Sequence, residues 1–267
     1  AGQFALNNSK IYFSQINSNP ARVYIGYVNI ADLTLSPSTY ISSYTTTSYS
    51  TESTDVSRLF CNDNGYFGYM GSTYNGISYD GHIFLWNSSG TLVYRKSLAT
   101  QSTSISMYGG IDSNNCVYFS STKSPVSTIT KLNTDGTVAW QRATNDATYA
   151  SLQWIFGGID SSNCTYWYSV KGDSTESMLI KVNTDGTLNW ARRFKKATGF
   201  SGAMSLYQTG GGYPVKFIES NYYVQFLVDT TRYGLFCLPI DGSLTNTAFG
   251  PSNQFSYTSV TLGWVSA

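Results

Sequence analysis

His82, the single histidine among 267 residues, stands two positions after Asp80 and a few residues beyond Tyr74 and Tyr79. An imidazole beside a carboxylate is a small pairing able to move a proton near neutral pH. Tyrosines flanked by glycine offer rigid rings with a polar tip, a surface suited to the face of a sugar. All four fall in Gly71-Ser-Thr-Tyr-Asn-Gly-Ile-Ser-Tyr-Asp-Gly-His82, which reads as a loop inserted into a repeat unit. Tyr74, Tyr79, Asp80 and His82 are therefore the candidate ligand-binding residues, and Phe200 to Tyr207 is a second stretch to inspect. A hydrolase would need a nucleophile with its base, or two facing acids. No such set stands out, so no catalytic residue is assigned and the chain is read as a non-enzyme.

The other reactive side chains read as structural. Asp63, Asp112, Asp135, Asp160, Asp185 and Asp241 precede or enter turns, where an Asp side chain bonds its own local backbone. Calcium at Asp112-Ser-Asn-Asn or Asp160-Ser-Ser-Asn would find one carboxylate per loop, too few without ligands from elsewhere. Cys61, Cys116, Cys164 and Cys237 have no metal-ligand spacing. They read as free buried thiols, with one disulfide as the alternative. No metal is expected. No glycine-rich phosphate loop opens a helix, so no nucleotide cofactor is expected either. In the basic run Arg192-Arg193-Phe-Lys195-Lys196, strand alternation sends neighbours to opposite faces, and the run reads as a solvated edge rather than a phosphate patch.

Composition narrows the partners. Charged residues make up 12% of the chain and aromatics 16%, the charged share being about half the usual one. A net charge of +1 gives no general field for nucleic acid or anionic membranes. No apolar run approaches the roughly 18 residues of a membrane span, and neither an initiating Met nor a signal peptide is seen. A soluble, processed or partial product is expected, acting on a virion or extracellular surface after assembly in a host cytoplasm. The sequons at Asn7, Asn87 and Asn163 are of the kind that a chain rich in Asn, Ser and Thr produces by chance.

What positions these residues is a repeat. Lys131-Leu-Asn-Thr-Asp-Gly-Thr-Val-Ala-Trp140-Gln-Arg142 returns fifty residues later as Lys181-Val-Asn-Thr-Asp-Gly-Thr-Leu-Asn-Trp190-Ala-Arg192. Each copy reads as strand, two-residue Asp-Gly hairpin turn, strand. A hairpin cannot bury its own apolar face, so copies must pack side by side as in a solenoid or propeller. The shared Gly-Gly-Ile-Asp at Gly109 and Gly157 places glycine inside a strand, a mark of close backbone approach. Trp140 and Trp190 read as core, and Trp86, Trp154, Trp167 and Trp264 as packing between units.

The motif at 131 to 142 resembles the WQR repeats of tail-associated structural proteins of tailed phages, particularly those of marine cyanobacteria, and is distantly similar to the closing strands of quinoprotein-type propeller blades. The likeness covers residues 104 to 193 well and 83 to 96 loosely. It implies structural roles for Gly136, Trp140, Gly186 and Trp190, and no catalytic role. The Asp-box of sialidases needs a different order, Asp-x-Gly-x-Thr-Trp.

The expectation is an all-β chain, one β-propeller domain over 1-267. Its five four-stranded blades span about 1-44, 56-99, 103-145, 150-197 and 212-250, and the C-terminal strand 255-266 pairs with the first unit to close the ring. Six blades is the alternative. The expected role is non-enzymatic: a virion or tail-appendage component that docks on other subunits or binds a host surface glycan. A free-standing lectin, or a glycan-processing enzyme, is the alternative.

Overall fold

A computed structural model describes residues 2–18, 21–34, 44–45, 51–52, 58–74, 79–98, 107–123, 126–146, 149, 152–170, 176–197, 215–218, 221–227, 233–239, 241–244, 247–249 and 255–267. The second stretch singled out above, residues 200–207, lies outside them. The described residues form antiparallel sheets and no helix, so none is long and apolar enough to cross a membrane.

The first sheet runs β1 (Gly2–Leu6), β2 (Lys10–Ser18), β3 (Ala21–Asn29) and β4 (Tyr44–Thr45) in that order. The second has β5 (Thr51–Glu52), β6 (Arg58–Cys61), β7 (Phe67–Tyr74), β8 (Tyr79–Trp86) and β9 (Leu92–Ser97), with β5 and β6 both on β7. The third is built on β10 (Met107–Ile111), β11 (Val117–Lys123), β12 (Val126–Leu132) and β13 (Val138–Thr144). The fourth is built on β14 (Ile155–Ile159), β15 (Thr165–Val170), β16 (Glu176–Val182) and β17 (Leu188–Lys196). The fifth is β18 (Val215–Ile218), β19 (Asn221–Leu227) and β20 (Tyr233–Pro239). Three short strands follow: β21 (Thr247–Phe249), β22 (Phe255–Ser259) and β23 (Trp264–Ser266). The chain forms two compact units, one of Ala1–Lys123 with Thr130–Ala139, the other of Ser124–Ile129 with Trp140–Ala267.

These last strands correct the expected closure. β22 pairs with β17, from Arg192↔Ser259 to Lys196↔Phe255, and β23 pairs with β13, from Arg142↔Ser266 to Thr144↔Trp264. Neither pairs with the first sheet. The cause is a match of buried faces: Phe255 and Tyr257 are buried, and the Tyr257 ring lies 4.6 Å from that of Phe194. Covering β17 also removes a sheet edge open to foreign strands. β17, which carries the basic run, is thus an inner strand rather than a sheet edge; Arg192 and Arg193 are half-buried and Lys195 is exposed. The fifth sheet has three described strands, and β21 joins the fourth sheet instead.

The repeat's turn also differs from the two-residue expectation. Gly136 N donates to Asn133 O at 2.9 Å and Asn133 N donates to Thr137 O at 2.8 Å, with Gly136 at φ 82°. This is a three-residue loop whose last member is left-handed. The extra residue lets Asp135 Oδ1 accept from Thr137 N at 2.9 Å and Thr137 Oγ1 at 2.6 Å. Asp185 and Thr187 repeat the arrangement, and in the first unit Leu33 takes the glycine's place at φ 55°.

The turn glycine has a second use. A Cβ on Gly136 would lie 2.9 Å from Tyr94 Cγ, and one on Gly242 would lie 2.8 Å from Trp190 Nε1. Each ring therefore rests on the backbone of the following unit's turn. Lys96 Nζ donates to Gly136 O at 3.1 Å, Arg142 Nε to Gly186 O at 3.2 Å, and Arg192 Nη2 to Gly242 O. Aromatic and cation, two residues apart on one strand face, latch unit to unit. The strand glycine behaves as expected too: a Cβ on Gly109 would meet Met70 Cε at 2.8 Å. Met70 lies in a cluster with Phe60, Ile83, Leu85, Met107 and Phe119.

Candidate functional site

Residues 71–74 and 79–82 are strand, parts of β7 and β8 rather than of an inserted loop. Register pairs Tyr74 with Tyr79, Thr73 with Asp80 and Gly71 with His82. Because β8 alternates faces, positions 80 and 82 share one side of the ribbon while position 79 is on the other. The backbone thus sets positions 74 and 79 on one side of the ribbon and positions 80 and 82 on the other. His82 is 4% exposed, its Nδ1 3.4 Å from Ser97 Oγ and its ring 6.4 Å from that of Phe84. Its position on β8, paired with β7 on one side and β9 on the other, makes it an inner strand residue rather than a loop residue. What remains of the candidate site is the hairpin end, where β7 and β8 run past the β9 pairing that stops at His82↔Ser97 and finish on the Tyr74↔Tyr79 pair.

The repeated aspartates are committed to the fold. Asp112 Oδ1 accepts from Asn114 N at 2.9 Å and Cys116 N at 2.8 Å, and its Oδ2 accepts from Tyr118 OH at 3.0 Å. Asp160 repeats this, with Tyr166 OH at 2.8 Å and Lys181 Nζ at 3.0 Å from Oδ2. Burial works to raise the Asp160 carboxyl, but Lys181, Tyr166 and the Cys164 N–H outweigh it and hold it below the usual carboxylate range. Cys61, Cys116, Cys164 and Cys237 are free, the first three half-buried and Cys237 exposed. Burial first, then the Asp63 charge, pushes the Cys61 thiol up to about 12. Burial and an adjacent aspartate likewise raise Cys116 and Cys164. Thiols held protonated are poor nucleophiles.

A constellation that residue types alone did not reveal lies on the fourth sheet. Glu176, at the start of β16, is 8% exposed. Tyr149 OH lies 3.5 Å from its Oε2, and Lys195 Nζ lies 3.7 Å from its Oε1. A shielded carboxylate beside a phenol and an ammonium can accept from and donate to a polyol, or exchange a proton with a bound group. A signal for it was in the chain. Fifty residues earlier the repeat has Val126 where Glu176 stands, and Asn145 where Lys195 stands. Positions at which one copy departs from its twin are not needed for the shared fold.

No protein-family model matches the chain, and no curated protein does. Among solved structures it is similar to a DUF4623 family protein from Bacteroides eggerthii, at 9% identity and TM-score 0.49, over 90% of this chain and 59% of that one. It is similar to dipeptidyl peptidase 4 of Porphyromonas gingivalis at 11% identity and TM-score 0.44, over 84% of this chain and 33% of that one. A bifunctional GH43-CE protein of Bacteroides eggerthii matches at 9% identity and TM-score 0.43, over 98% and 35%. The chain thus spans about a third of the length of the last two. At these identities the likeness concerns the fold alone, an all-β, propeller-like one. Glycoside hydrolases recur among the matches, including a GH130-family member, a putative glycosidase from Bacteroides thetaiotaomicron and a glycosyl hydrolase from Bacteroides ovatus. The expectation of a non-enzyme does not stand, since glycoside hydrolases recur among the similar structures; these matches assign no reaction to this chain.

Proposed function

We propose that the chain is a recognition component of a virion or surface appendage, its sheets serving as five blades of a propeller, with six as the alternative count. It docks on a neighbouring subunit and meets a host-cell surface glycan. The observation that carries the docking is on the first sheet. Tyr12 and Ile25 point inward and pack with Leu59, Phe67 and Trp86 of the second sheet. The opposite face carries Phe4, 73% exposed, and Leu6, 66% exposed, beside Phe13 and Ile11. A sheet face meant for water would be polar there, and apolar surface of this kind marks a protein contact.

The test is where the protein resides. Purified particles should contain it, and a Phe4→Asp, Leu6→Asp double variant with unchanged melting should fail to incorporate. A chain found only free in the medium would sink the virion reading. The glycan contact is supported by the Tyr74↔Tyr79 pair at the hairpin end. Glycan-array binding should be lost in Tyr79→Ala with the fold intact.

Glycan processing is the second reading, favoured by the shielded Glu176 with Tyr149 beside it. Turnover of a surface polysaccharide that disappears in Glu176→Gln would establish it. Turnover unaffected by that change would remove Glu176 from it.

A further inference from the structure

Arg193 is left over by the packing of the fourth sheet. Arg192, on the opposite face, latches to Gly242 O with its guanidinium 5.3 Å from the Trp190 ring centre, and Lys195 pairs with Glu176. Among the described residues no acidic side chain pairs with Arg193, and its Nε is buried without a hydrogen-bond partner. Register sets Ser169, Met178, Arg193 and Thr258 directly opposite one another across β15, β16, β17 and β22. Residues so opposed share a face. Ser169 Oγ and Thr258 Oγ1 are likewise buried without partners. Glu176 and Lys195 occupy the next row on that face, two residues along each strand. Met178, 1% exposed, and Ser169 lie at the buried end of this face, and the Lys195 side chain, 53% exposed, marks the open side.

Unsatisfied polar atoms grouped on one face need an explanation. Here three of them lie in one row, beside two groups that already hydrogen-bond. The charges on the face do not cancel among the described residues, since Lys195 answers Glu176 and no described acidic side chain pairs with Arg193. The repeat points the same way: Ala143 stands where Arg193 does in the following copy, and Thr258 belongs to a strand outside the repeat. This face therefore carries cationic and hydroxyl groups that blade packing does not require.

We propose that this face binds the carboxylate of an acidic saccharide, an inference that rests on the glycan-recognition reading. The planar guanidinium of Arg193 takes the carboxylate, a geometry that suits it better than a point charge. Thr258 donates beside it, and Glu176 with Tyr149 accepts from and donates to ring hydroxyls. A dianionic phosphate matches less well, because Glu176 lies in the adjacent row and repels the second charge.

Binding of glucuronate, glucose and inorganic phosphate to the whole chain, followed by calorimetry, tests this. Glucuronate should bind at least about tenfold more tightly than glucose or phosphate, the scale of one charge-assisted hydrogen bond. Arg193→Met should weaken glucuronate about tenfold or more, and Thr258→Val should weaken it less. Arg193→Lys, which keeps charge but not the fork, serves if the Met variant fails to fold, and it too should bind more weakly. Equal binding of glucose, a preference for phosphate, or glucuronate binding unchanged in both Arg193 variants would overturn the proposal. Array binding that needs Tyr79 but not Arg193 would sink this site while leaving the glycan-recognition reading standing.

Discussion

The indole of Trp140 rests on the backbone of Gly186: its Nε1 donates to Thr184 O at 2.9 Å, and a Cβ on Gly186 would lie 2.8 Å from its Cδ2. Gly186 is also at φ 84°, and its carbonyl oxygen accepts from Arg142 Nε and from Trp264 Nε1, the latter at 2.9 Å. One turn thus receives the third unit's latch and the C-terminal strand together.

Gly186→Ala meets two penalties at once, a left-handed backbone for an L-residue and an intrusion into the ring. The expected loss is about 2–4 kcal/mol, read as a shift of the urea midpoint. Trp140→Phe keeps a ring but not the donor to Thr184 and should cost about 1 kcal/mol for that bond. If both variants unfold with the parent, the latch is not what holds these units.

The Asp160–Tyr166 pair sets limits at both ends of the pH scale. Asp160 is held below its ordinary 3.8 in the folded chain, so its contribution is present above that value and is lost as pH falls through the folded value. Tyr166, raised by burial and by its bond to Asp160, keeps its proton above the ordinary 10.0. Its contribution is full below 10.0 and is lost as pH rises past it. Asp160→Asn should flatten the acid limb of a stability–pH profile, and Tyr166→Phe the alkaline limb. A profile unchanged by either would show that this pair does not titrate with folding.

Deleting residues 260–267 should leave β13 an open edge. Asn145 N donates to Gly263 O at 3.1 Å, and hydrogen exchange at Asn145 should accelerate strongly in the shortened chain. The exposed edge should also raise aggregation. Unaltered exchange at Asn145 would contradict the pairing of β23 with β13.

Much of the fold is local and was readable along the chain. Lys131 to Arg142 and its copy at Lys181 to Arg192 mark a strand, a turn and a strand, because Asp-Gly and alternating apolar residues act within a few positions of one another. Turn length was misread because Asp135 bonds Thr137 through space, and dipeptide composition does not show that bond. The burial of His82 was not readable from residue type, since it follows from the pairing of β8 with β7 and β9 rather than from its neighbours along the chain.

Long-range partners were another matter. That β22 lies on β17 and β23 on β13 depends on which edges remain open once the other strands have paired, a competition settled among residues far apart in the chain, such as Arg192 and Ser259. The same holds for the face that Arg193 shares with Thr258 and Glu176. Local chemistry dictated the repeating unit, whereas edge pairing and the burial of particular faces, which exist only once the sheets have formed, decided where its charged side chains meet.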